Sequence, residues 1–168
     1  MKYFIGNWKM FGIPGSIKIL DRINNYVKKD KARSKNYKVI ISPPYTLLEN
    51  FTKSFKNKKI SISAQNCFHK NNYGSHTGFV SPYMIKKLGV KHVIIGHSEN
   101  REAGENNHIL KEKVLASVKN NLNIIFCIGE NKYEKRKKLT LNVLKNQIRK
   151  SLDLSLIHIS EPTRPSRI

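Results

Sequence analysis

Val93-Ile94-Ile95-Gly96-His97-Ser98-Glu99-Asn100-Arg101 is the stretch on which the fold turns. His92–Ile95 is short and almost wholly apolar, which reads as a buried strand. Gly96 ends it, and a histidine, a serine, a carboxylate and an arginine follow within five residues. Ser98, with Arg101 three positions on, can cap a helix. An imidazole, His97, therefore stands between the carboxyl end of a strand and the amino end of a helix. That is where parallel α/β folds keep their chemistry. A helix amino end disfavours positive charge, so His97 is expected to be neutral and to donate a hydrogen bond.

Outward from this stretch the same unit recurs. Tyr3–Ile5, Tyr37–Ile41, Ile60–Ala64 and Ile124–Ile128 read as further strands, short and apolar. Helical spacing of apolar residues follows each: Ile17–Val27, Thr46–Phe55, a helix capped by Ser81 and running to about Leu88, Ile109–Val118, and one long helix over Tyr133–Leu152. Strands this apolar are expected to be buried on both faces, and strict strand–helix alternation implies a parallel sheet, open or closed. No strand is followed by a dinucleotide-type glycine fingerprint or a phosphate-cradling glycine loop ending in Gly-Lys-Ser/Thr. A barrel is favoured over those sheets.

The composition sets outer bounds. The chain has 168 residues, enough for one domain, and a net charge of +21. Such a charge suits a nucleic-acid partner, but the lysines are spread along every helix and loop with few aromatics between them. The densest run, Lys132–Lys138, reads as a solvated helix face. Cys67 and Cys127 have neither pairing nor metal-ligand spacing. No signal peptide and no apolar stretch of about 18 residues is present, so a soluble, cytoplasmic protein without a membrane segment is expected.

Polar residues gather where the strands finish: Asn7 and Lys9, Gln65 and Asn66, His97 and Glu99, Glu130. Such ends converge at the mouth of a closed sheet, where a lysine can neutralise an anion and a neutral histidine can share its proton with a carbonyl oxygen. Gly6-Asn7-Trp8-Lys9-Met10 and Ile95-Gly96-His97-Ser98-Glu99 resemble the two signature segments of triosephosphate isomerases. Ala64-Gln65-Asn66, Gly74-Ser75-His76-Thr77-Gly78 and Cys127-Ile128-Gly129-Glu130 agree with that family in order and spacing. The resemblance runs from residue 1 to about Leu152. It implies an α/β fold, an incomplete TIM (β/α)8 barrel with about five of eight parallel strand–helix units.

The resemblance further implies catalytic roles for His97, Lys9 and Glu99, substrate contacts from Asn7 and Lys9, and a homodimer interface that includes Thr77, Gly78, Gln65 and Asn66, the last two also read as holding loops or touching the site. The substrate would be a phosphorylated triose, interconverted between ketose and aldose by proton transfer, with no metal and no cofactor. Asn100 stands where the family has arginine, which weakens ion pairing beneath the site. Phe79 stands where an acidic residue is usual, and Glu102–Asn107 is about one residue short. Such barrels need about 250 residues. The family's general-base glutamate, its lid and its late phosphate loop have no match here, so the 168-residue chain is expected to be inactive alone. From about residue 153 the Lys/Asn bias disappears and Pro162 and Pro165 enter. This tail does not resemble the family; it reads as foreign material of the kind left by translated adaptor sequence, or as a genuine short terminus. The alternative function is a basic nucleic-acid-binding module.

Overall fold

The computed structural model describes residues 1–29, 36–56 and 58–152. The tail after Leu152, with His158, lies outside the described residues. Five strands, β1 (Lys2–Asn7), β2 (Tyr37–Ser42), β3 (Ile60–Ala64), β4 (His92–Ile95) and β5 (Asn123–Phe126), form one sheet in that order. Every pairing is parallel, with Asn7 opposite Ser42, Ile41 opposite Ile62, Ala64 opposite Val93 and Ile95 opposite Phe126. The helices are α1 (Ile17–Lys29), α2 (Tyr45–Ser54), α3 (Pro82–Lys87), α4 (Ser98–Glu102), α5 (Asn107–Lys119), α6 (Lys132–Arg136) and α7 (Thr140–Ser151). The sheet curls as part of a barrel with the helices against its convex side.

Side-chain alternation sorts the strands. Val39, Ile41, Ile60, Ile62, Ala64, Val93 and Ile95 face the helices and meet Leu20, Leu47, Phe51, Ile85, Leu110 and Val114 in one core. Leu20, Phe51, Ile85 and Leu110 are fully buried, and each such side chain contributes about 1.5–3 kcal/mol on leaving water. Ser81 caps α3 as read from the sequence, its Oγ accepting from Met84 N at 3.3 Å.

Three expectations are corrected. Burial on both strand faces fails at β1, where Tyr3 is 54% exposed and Phe4 57%. The cause is position: β1 has a neighbour on one edge only, and no described element covers its remaining surface. The fifth strand ends at Phe126, not Ile128. The single helix over Tyr133–Leu152 is two, α6 and α7, broken where Lys138 takes φ 57. Asn131 starts α6 through a reciprocal capping box with Glu134. Val143, Leu144 and Ile148 keep their stripe within α7, half-buried, while Leu141 remains exposed.

Candidate active site

The loop after β1 holds Lys9 in the left-handed region, φ 51, which costs a non-glycine residue about 1–2 kcal/mol. Two neighbours hold it there. Asn7 Oδ1 accepts from Lys9 N at 2.9 Å, and Gln65 Nε2 donates to Lys9 O and to Ser42 O, both at 2.8 Å. The Lys9 side chain then crosses to the first turn of α4, where its Nζ lies 2.9 Å from Glu99 Oε1. The hydrogen bond from Lys9, and then its charge, hold the Glu99 carboxyl below the ordinary glutamate value.

His97 follows β4 with extended backbone, φ −56 and ψ 143, and caps α4. The sequence suggested Ser98 as the cap; Ser98 is instead the first helical residue. His97 Nδ1 accepts a long hydrogen bond from Glu99 N at 3.4 Å. It lies at the same distance from Glu99 Oε2, the carboxylate whose other oxygen meets Lys9. Asn7, Lys9, Tyr45, Gln65, His97 and Glu99 line one open cleft of about 560 Å³, shared with Asn66 and Asn100. Residues from β1, β3 and β4 are thus brought together as expected. Glu130 is not: it lines a separate hollow with Ser98, Glu102, Glu134 and Gln147.

Arg101 was not singled out from the sequence. Its guanidinium donates to Gly96 O at 2.8 Å, Cys127 O at 3.0 Å and Asn107 Oδ1 at 3.1 Å. It ties the end of β4 to the end of β5 beneath His97. The available signal was Asn100: with an amide there, Arg101 is the arginine of the segment left to hold the turn. Gly96 has φ +79, and a Cβ on it would stand 2.9 Å from Cys127 O.

Asn66 belongs to a second brace. Its Nδ2 donates to Glu105 Oε1 at 2.8 Å, and its Oδ1 accepts from Lys113 Nζ at 2.9 Å and from Cys67 N at 2.8 Å. Lys113 also pairs with Glu105, and the Tyr45 hydroxyl donates to Asn66 O. Lys113 is only 4% exposed, so these partners are what make its burial tolerable. The amides of Gln65 and Asn66 are therefore both used within the chain. Thr77 and Gly78 lie at the tip of an exposed loop. Behind the tip, Phe79 stacks on Phe68 at 4.3 Å, and His69 and His76 crowd the same ring at 4.2 and 4.8 Å.

Residues 2–161 match the family model described as triosephosphate isomerase. The chain is 38% identical over 153 residues to the triosephosphate isomerase of Thermodesulfovibrio yellowstonii, across 90% of this chain and 60% of that protein. It is 35% identical over 149 residues to that of Thermoanaerobacter pseudethanolicus, across 88% of this chain and 58% of the relative. The crystal structure of triosephosphate isomerase from Bartonella henselae superposes with a TM-score of 0.83 at 34% identity, covering 90% of this chain and 62% of that one. The chain thus spans about three-fifths of the length of these relatives.

Proposed function

The chain belongs to the triosephosphate isomerase family, and from that premise we propose that it supplies the electrophilic half of an isomerase site for dihydroxyacetone phosphate and glyceraldehyde 3-phosphate. The observation that carries the reading is the Lys9–Glu99 contact of 2.9 Å in the cleft that also holds His97. Lys9 supplies positive charge to the phosphate and to the enediolate oxygen as negative charge develops there. His97 donates from Nε2 to the substrate carbonyl, polarising it while a carbon-bound proton is removed; a histidine kept neutral by a helix amino end is established for this family and carried over from it. Asn7 sets the Lys9 backbone, and Glu99 aims its amine.

The proton acceptor has no candidate among the described residues. Glu99 is engaged by Lys9, and Glu130 opens on another hollow. The 168-residue chain assayed alone is accordingly inactive. A coupled assay reads this directly: turnover no higher than buffer is expected, and family-level turnover would overturn it. The site itself is tested separately. Dihydroxyacetone phosphate titrated at low ionic strength shifts the amide resonances of Lys9 and His97, and the shifts vanish in Lys9→Met. Shifts confined to other regions would remove the assignment.

A homodimer of the full-length family member through Thr77 and Gly78 belongs to the same proposal, supported by the exposure of their loop and of Phe11, 75% exposed, and Ile13, 70% exposed. Gln65 and Asn66 fit internal bracing better than contact with a second copy. No described helix is long and apolar enough to cross a membrane, which is compatible with the cytoplasmic location proposed for the chain. We further propose that the family-like part ends near Leu152. A nucleic-acid-binding role finds no support in the comparisons.

A further inference from the structure

The five strands contain no aspartate and no glutamate, and the side of the sheet turned from the helices is basic at its amino-terminal end. Alternation fixes this. Val39 and Ile41 of β2, and Val93 and Ile95 of β4, enter the helix-side core, so Lys38 and His92 take the opposite side. Tyr3, paired in register with Lys38, lies there too, with Lys38 Nζ 5.9 Å from its ring centre. His92 is pushed below the ordinary imidazole value, first by burial and then by the charges of Lys38 and Lys91. Its Nδ1 is buried with no hydrogen-bond partner, and so, further up the same side, is Ser42 Oγ. Buried polar atoms in native folds are nearly always partnered.

In a closed eight-stranded barrel each interior layer is filled by side chains from alternate strands. Lys38 on β2 and His92 on β4 lie on strands of one parity, and the further strands of that parity in a closed barrel are the sixth and the eighth. A neutral filling would leave an ammonium in a dry interior without counter-charge. A second copy of this chain offers the same lysine and no strand carboxylate, so charge opposes it as the occupant.

We propose that this basic floor is a docking surface for a barrel-closing segment that carries an inward carboxylate on its sixth or eighth strand, set against Lys38 and His92. The proposal rests on the reading of the chain as part of a closing barrel, and adds the chemistry of what closes it. It makes Lys38 and His92 determinants of which closing segment is accepted.

The test mixes the 168-residue chain with the separately produced part of the Thermodesulfovibrio yellowstonii protein that it does not span. That part is prepared in two versions, with Asp or with Lys at the inward floor positions of its sixth and eighth strands, and binding is measured by calorimetry. The Asp version is expected to bind at least tenfold more tightly, and Lys38→Glu to invert the order. Equal binding of both versions would overturn the carboxylate requirement and leave the barrel reading standing. Binding of neither version, to wild type or to Lys38→Glu, would sink both.

Discussion

Lys9 and Glu99 come from segments about ninety positions apart in the chain, and the site depends on their meeting. Because Glu99 is held below its ordinary value chiefly by the Lys9 hydrogen bond, the sign of its linkage is fixed. The pair stabilises the folded site above the unfolded glutamate value of about 4.3, and the contribution is lost as pH falls through the lower folded value. A carboxyl NMR titration should place the Glu99 midpoint below that of a free glutamate, and Lys9→Met should return it upward; identical midpoints would break the assignment. Gly96 carries a second prediction. With φ +79 and Cys127 O and Arg101 within 2.9 Å of any added Cβ, Gly96→Ala should lower stability in urea by about 2 kcal/mol or more. Asn7, Lys9, His97 and Glu99 were legible in the sequence because each is a chemically distinctive residue at a strand end. Arg101 and the Asn66–Glu105–Lys113 brace were not, because their roles come from carbonyls and amides whose positions only the fold supplies.

At the scale of elements, period reveals a helix more readily than its interruption. Leu139, Val143, Leu144 and Ile148 keep helical spacing, and that spacing continues across Lys137-Lys138-Leu139, where the backbone turns through a left-handed residue. Nothing in a run of lysines signals such a turn, since glycine or asparagine is its usual mark. β2, β3 and β4 were legible almost to the residue because they are short and apolar, with Pro43 closing β2 and Gly96 closing β4, whereas β1 runs on through Gly6 and β5 stops two residues early. The break at Lys138 has an energetic consequence. A non-glycine residue there costs about 1 kcal/mol, so Lys138→Gly should raise the urea midpoint slightly or leave it unchanged, while Lys138→Val should lower the unfolding free energy by about 1–2 kcal/mol through β-branch crowding. If valine were tolerated as well as glycine, α6 and α7 would have to be joined in solution as one helix, as the periodicity alone suggests.

Across the whole molecule, burial depends on what lies beside each strand, and a strand's own residues cannot state that. Phe4 and Ile5 are as apolar as Ile94 and Ile95, yet they are 57% and 43% exposed, against 2% and 0%. The difference is that β4 has neighbours on both edges and β1 on one. An exposed apolar strand with a free edge favours self-association, while a net charge of +21 opposes it through repulsion between copies. The two effects respond oppositely to salt. Screening shortens the reach of charge from about 30 Å at 0.01 M to about 3 Å at 1 M, and leaves apolar attraction intact. The chain should therefore sediment chiefly as a monomer at low ionic strength and associate as salt rises, the reverse of an assembly held by ion pairs. Phe4→Lys, which puts a charge on the free strand, should shift the onset to higher salt without unfolding the chain, as circular dichroism would read. A chain that stays monomeric in 1 M salt would overturn the prediction that the free β1 surface drives association.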